Sequence, residues 1–205
     1  MTRWAPVLKV GCAIVAVALA GRSCGTFLVA ERAVERPDAI LSLASHEWER
    51  LPEVARLARD YPDSRVVLTL PPVVTEFNCH DCSHRPARLG FMGVAADRID
   101  VIPILAPGTH GEALATLSYA RQARVRKLLV VTSPYHTRRS LATFQKVFAG
   151  SGVELGVRPA TASSAADPVH WWRTPYDRWY VRYESLAIVY YSLRYGVDPF
   201  VGAED

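Results

Sequence analysis

The stretch that decides the fold is "KLLVVTSPYHTRRS", Lys127 to Ser140. Its four central residues, Leu128 to Val131, are all apolar, with no polar residue on either face. A strand of that kind is buried on both sides, as in a parallel sheet covered by helices. Within three residues the run becomes Ser, Pro, Tyr, His, Thr and two Arg, and "YHTRRSLATFQKVFAGSG" then reads as a helix closed by glycine.

The same alternation extends in both directions. "DAILSL" (Asp38 to Leu43) is a short apolar run followed by the helical pattern "EWERLPEVARLARDY", and "RVVLTL" (Arg65 to Leu70) is β-branched and strand-like. A Pro- and Cys-containing loop leads to a helix around Arg85 to Gly93, and "RIDVIPI" makes a weaker third strand. "THGEALATLSYARQA" reads as a helix with Thr109 as N-cap and Glu112 at capping-box spacing. "VELGVRP" is a fifth strand, and a last helix runs from Tyr176 to Tyr195. This predicts an α/β, doubly wound, Rossmann-like domain: a mainly parallel sheet of about five strands in a three-layer α/β/α arrangement. Such sheets bind ligands outside the carboxyl ends of their strands, where the strand order reverses.

Four loops fall on that edge: "ASHEWER", "PPVVTEFNCHDCSHR", "LAPGTHGE" and "SPYHTRR". Together they hold five of the six histidines: His46, His80, His84, His110 and His136. His136 and Arg139 are three apart at a helix start and so share a face. The positive helix terminus suits an anion and favours a neutral imidazole. Arg139 offers a planar fork for carboxylate or phosphate. The same spacing also fits an arginine that pairs with a nearby acid while His136 closes a loop.

The 205 residues are half hydrophobic, enough for one domain with a sizeable core, and the net charge of +4 is modest. It is carried by arginine, since Lys9, Lys127 and Lys146 are the only lysines. Basic residues are scattered and no nucleic-acid motif is present, so no nucleic-acid partner is expected. At the N-terminus a basic flank (Arg3, Lys9) precedes an apolar run from Val10 to Ala20. Two readings stand: a signal peptide cleaved after Ala20, or a retained single-pass anchor over residues 1–30. Either exports the rest: a joint over 31–37, the α/β domain over 38–198 and a tail over 199–205. The expected location is the bacterial inner membrane with the domain outside the cytoplasm, or the periplasm after cleavage.

"LLVVTSPYHTRRSLATF" resembles the signature of the bacterial YdcF/SanA/ElyC-like proteins: an apolar strand, then T-S-x-Y-H-x-x-R-[AS], then a helix. The resemblance covers roughly Pro37 to Gly196 and puts the family's most distinctive residues on Thr132, Ser133, Tyr135, His136 and Arg139. Its T-x-x-E segment falls on Thr109 and Glu112, and its arginine after the first strand on Arg50. By resemblance, this implies a role in cell-envelope biogenesis or barrier integrity; the chemistry of His136 and Arg139 adds the expectation of an anionic, lipid-linked or phosphate-bearing ligand. His136 and Glu112 are then the candidate catalytic groups. Arg139, Thr109, Ser133, Tyr135, Arg50 and His110 are the candidate ligand contacts. Two departures stand out. The family's glycine-rich turn after the first strand is here "ASHEWE", and the Ser-Gly-Gly turn and later glutamate after the second strand have no clear counterpart. Their loss weighs against a ligand such as S-adenosylmethionine. Rival readings are an S-adenosylmethionine or nucleotide binder and a non-catalytic envelope scaffold docking through its aromatic tail. No cofactor is assigned.

In "NCHDCSH", a local disulfide between Cys79 and Cys82 is the first expectation for an exported domain. Cys79, Cys82 and His84 form a weaker metal set, one ligand short of a structural zinc site. In the last helix, Trp179, Tyr183, Leu186, Tyr190 and Leu193 recur at helical spacing. That stripe is expected to dock on the sheet. Trp171 and Trp172, flanked by arginines, also suit a membrane surface.

Overall fold

A computed structural model describes residues 21–73 and 82–200. Five strands form one all-parallel sheet: β1 (Ala39–Ser42), β2 (Arg65–Leu70), β3 (Ile99–Pro103), β4 (Lys127–Thr132) and β5 (Glu154–Pro159). Their order is β3-β2-β1-β4-β5, so β1 and β4 lie side by side at the centre, where the winding reverses. The helices are α1 (Glu47–Asp60), α2 (Arg85–Phe91), α3 (Gly108–Ala123), α4 (Thr137–Phe148) and α5 (Pro175–Tyr195).

Strand alternation sends neighbouring side chains to opposite faces, so the unbroken apolar run of β4 feeds two cores. Leu128 and Val130 pack with Leu41, Val67 and with Leu141 and Phe144 of α4. Leu129 and Val131 pack with Ile40, Val66 and with Leu51, Val54 and Leu57 of α1. Helices therefore cover both faces, as the sequence pattern predicts.

Helical turns over 21–28 and the extended chain after them run along the β5 side. Arg32 and Val157 exchange backbone hydrogen bonds of 3.0 Å as an isolated antiparallel bridge. The Ala30 amide donates to Thr137 Oγ1 at 2.7 Å, and Arg138 Nε to the Phe27 carbonyl at 2.6 Å. Leu28 is buried with Tyr135, Val181 and Ile188. Among the described residues no helix is long and apolar enough to cross a membrane. The apolar run from Val10 to Ala20 lies outside them.

Two sequence expectations are corrected. The helix of "THGEALATLSYARQA" starts at Gly108 with Pro107 as N-cap, so Thr109 lies inside it and makes no capping box. Its hydroxyl and the Glu112 carboxylate are instead drawn to the groups at the sheet edge. The aromatic stripe of α5 does not dock on the sheet. The buried face is Asp177, Val181, Glu184, Ile188 and Tyr191, while Trp179, Tyr183, Leu186, Tyr190 and Leu193 are exposed. Both rows have helical spacing, and the polar one wins because its acids meet partners in the site.

Gly156 is where the bridge approaches β5 most closely. A Cβ there would lie 2.6 Å from the Arg32 carbonyl oxygen and 2.7 Å from Val34 Cγ2. Gly156→Ala is expected to cost about 1–3 kcal/mol, as overpacking does. The loss should appear as a lowered midpoint in urea unfolding.

Candidate functional site

The site is built where β1 and β4 end. β1 runs into Ala44, Ser45 and His46, and α1 then brings in Arg50. β4 runs into Ser133, and a 3-10 turn over Pro134–His136 leads to Arg139 on α4. The first turn of α3 adds Thr109 and Glu112. A cavity of about 1050 Å³ joins these residues, and the rest of its wall comes from α5 and from the segments that follow β2 and β3.

At its centre is a buried cluster that includes one residue the sequence did not point to. Arg139 grips Glu184 with two parallel bonds, Nε to Oε2 at 2.7 Å and Nη2 to Oε1 at 2.9 Å. Arg139 Nη1 also donates to Thr109 Oγ1 at 2.8 Å. His136 Nδ1 lies 3.0 Å from Glu184 Oε1, and Nε2 lies 3.3 Å from Thr109 Oγ1. The 2.9 Å approach of Arg139 Nη2 to His136 Nδ1 cannot be a bond if Nδ1 carries a proton for Glu184. The carboxylate is the stronger acceptor, so Nδ1–H points to Glu184 and both nitrogens share its Oε1. Nε2 then carries the ring's lone pair, and the Thr109 hydroxyl, which accepts from Arg139, donates to it. The result is a carboxylate–imidazole–hydroxyl chain.

Charge states follow from burial and neighbours. Burial first, then Arg139, hold His136 below its ordinary pKa, so the imidazole is neutral. Burial alone would raise Glu184, but His136 and Arg139 bring it down to about 2. Burial works against the charge on Arg139, and Glu184 more than restores it, so its pKa is raised. The guanidinium also stacks over the Tyr191 ring at 4.8 Å.

Arg50 differs. It is buried, yet Nε donates to Ser133 Oγ at 3.3 Å and Nη1 to the Ala44 carbonyl, both neutral acceptors. No carboxylate among the described residues hydrogen-bonds to it. Burial lowers its pKa, and Glu112, Glu49, Glu47 and Glu184 oppose that from a distance. Below it, Arg85 is buried as well, donating to the Thr69, Ser42 and Leu43 carbonyls and to Ser42 Oγ, and its Nε has no partner. Burial, then the neighbouring Arg50, lower Arg85 to about 10.

Glu112 Oε1 accepts from the Ala44 amide at 2.8 Å and from Thr69 Oγ1 at 2.7 Å, which pins the loop after β1. That loop takes left-handed backbone at two successive non-glycine residues, Ser45 (φ 77) and His46 (φ 50). Each costs on the order of 1 kcal/mol or more. The chain thus makes a turn of the kind glycine favours while keeping two polar side chains. His46 Nδ1 meets Ser45 Oγ at 2.9 Å, and Nε2 meets Tyr180 Oη at 2.6 Å. Burial, then Arg50 and His136, lower the His46 pKa to about 3.

Of the residues picked out from sequence, His136, Arg139, Thr109, Glu112, Ser133, Tyr135 and Arg50 all line the one cavity. Tyr135 is tied down, donating to Asp177 Oδ1 at 2.6 Å. His110 does not join them: its ring stacks on Tyr195 at 4.2 Å. Cys82 is disulfide-bonded, and Cys79, its expected partner, lies outside the described residues. No group of three metal-binding side chains occurs among the described residues, where His84 lies beside Ser83. Glu184, His46, Tyr180 and Arg85 were not singled out as site residues from sequence. The signal for Glu184 was its place in line with Asp177, Val181 and Ile188, hidden by the more apolar neighbouring row.

A scan against protein-family models and a search of curated proteins found no match to this chain.

Two predictions follow from the buried charges. Glu184→Ala leaves Arg139 buried and unpaired and is expected to cost about 3–5 kcal/mol in urea unfolding, whereas Glu184→Leu combined with Arg139→Met should cost far less. His46 and His136 are neutral when folded but take up protons near pH 6.5 when unfolded. The unfolded chain therefore binds more protons below that pH, and stability is full above it and falls as pH drops toward 3. Thermal unfolding between pH 7.5 and 5 should show this fall, with a shallower slope in His46→Gln.

Proposed function

We propose that this chain is a cell-envelope protein of the YdcF/SanA/ElyC-like kind, whose exported domain binds and processes an anionic, phosphate-bearing envelope metabolite. The observation that carries the reading is Arg50: a buried guanidinium that lines a cavity and, among the described residues, hydrogen-bonds only to neutral oxygens. A buried charge without a contact partner is costly, and a bound anion supplies that partner. Arg50 rather than Arg139 is then the anion clamp, because Glu184 already fills the Arg139 fork. Ser133, which accepts from Arg50, is free to turn its hydroxyl proton toward the same anion.

His136 is the acid–base group. Its Nε2 lone pair faces the cavity beside Thr109, and Glu184 holds the ring and stabilises the imidazolium that forms on proton uptake. Once the Thr109 hydroxyl turns its proton away, a water placed against Nε2 loses a proton there as its oxygen bonds to phosphorus; the P–O bond to the leaving oxygen breaks, and the same nitrogen returns the proton to that oxygen. Glu112 is a positioning residue, holding Ala44 and hence the turn that carries His46. Export rests on the apolar run Val10 to Ala20, and the envelope role on the resemblance around Thr132 to Arg139.

A second reading, S-adenosylmethionine or nucleotide binding, gains support from one observation. The left-handed turn at Ser45 and His46 stands between β1 and β4, where such ligands approach the backbone. Calorimetry with S-adenosylmethionine separates the two, since saturable binding there would favour the second.

For the first reading, inorganic phosphate titrated into the protein should bind, and Arg50→Gln should weaken it about tenfold or more, the scale of a lost charged hydrogen bond. His136→Ala should keep phosphate affinity yet fail to restore the envelope phenotype of a deletion strain. Unchanged phosphate binding in Arg50→Gln would overturn the assignment.

A further inference from the structure

The outer row of α5 is an apolar surface left largely exposed by the described residues. Trp179 is 66 % exposed, Leu186 72 % and Leu193 84 %, and Tyr183 and Tyr190 are more than half exposed. Contiguous exposed apolar residues of this size mark an interaction surface rather than ordinary scatter. Four of them, Trp179, Tyr183, Leu186 and Tyr190, are also lining residues of the cavity that holds Arg50 and His136. Across the mouth stand Pro72 and Val73, the latter 65 % exposed. The cavity therefore runs from a floor with a guanidinium and an imidazole to a mouth walled by apolar and aromatic side chains.

We propose that the ligand is an amphiphile, a phosphate monoester on a single long hydrocarbon chain. Its head would sit on Arg50, and its chain would lie along the outer row of α5. This rests on the anion site proposed above and adds the part of the ligand that the anion site does not see. Charge complementarity fixes the head at the floor, because among the described residues the exposed apolar lining of the mouth holds no cation to compete with Arg50. The row from Trp179 to Tyr190 then gives the chain an apolar track of about 16 Å at helical rise. Burying the chain against that row removes apolar surface of both partners from water, which favours longer chains step by step.

The test is calorimetry on the full chain with three probes below their micelle concentrations: inorganic phosphate, dodecyl phosphate and dodecyl maltoside. Dodecyl phosphate should bind at least about tenfold tighter than inorganic phosphate, the scale of a few buried methylenes. Leu186→Asn and Trp179→Ser, both at exposed positions and neither adding charge to the cavity, should abolish that advantage while inorganic phosphate still binds, with the thermal midpoint reported alongside. If dodecyl phosphate binds no better than inorganic phosphate, the amphiphile is wrong and the anion site stands. If neither binds, both fall. Dodecyl maltoside binding as tightly as dodecyl phosphate would show unspecific apolar adsorption and overturn the proposal. So would a row that holds phosphatidylglycerol vesicles but not monomeric dodecyl phosphate.

Discussion

The bidentate pair between Arg139 and Glu184 is the interaction on which the site depends. It joins α4, which starts at the end of β4, to the middle of α5, the last helix of the chain. Without it α5 has few reasons to present a polar row inward, since its outer row is the more apolar one. Once the carboxylate is fixed, the His136 tautomer follows, and with it the direction of the Thr109 proton. One ion pair thus sets the chain's last helix, a ring orientation and a hydroxyl rotor together. The same pair fills the Arg139 fork, whereas Arg50, which lines the same cavity, hydrogen-bonds to no carboxylate among the described residues.

The sheet was legible because parallel strands buried on both faces have a plain signature, and Leu128 to Val131 shows it without interruption. The carboxyl-edge rule then brought His136, Arg139, Thr109, Glu112, Ser133 and Arg50 to one place, and the fold does bring them together. Helix orientation was less legible. In α5 two rows share one periodicity, and hydrophobicity favours Trp179 and Leu186 over Asp177 and Glu184. Burial of a carboxylate is decided by a partner some 45 residues away in sequence, which no local pattern records. His110 went astray for a similar reason: its loop lies at the right edge, but its ring is taken by Tyr195.

The turn after β1 shows how far residue type can mislead about backbone. The absence of glycine suggested that a ligand could not come close. Ser45 and His46 nevertheless adopt left-handed conformations, held by the Glu112 carboxylate on the Ala44 amide and by Tyr180 on the imidazole. Strain of this kind persists only where the surroundings over-determine it. Here the compensation is visible in the hydrogen bonds on either side of the turn. What glycine would supply by flexibility, this chain supplies by anchoring, and it retains two side chains at the cavity wall.

The stitching of residues 21–34 has a consequence for direction. Trp171 Nε1 donates to the Gly21 carbonyl at 3.0 Å, Arg22 lies over the Trp172 ring at 4.7 Å, and Arg32 is locked to Val157. The segment is therefore part of the rigid body rather than a tether from which the domain swings. It also packs beside Tyr135 and the inner row of α5, at the same end of the sheet as the cavity. The point at which the chain enters the described fold, Gly21, thus has a fixed bearing relative to the cavity. Entry point and cavity are set relative to each other when the domain folds.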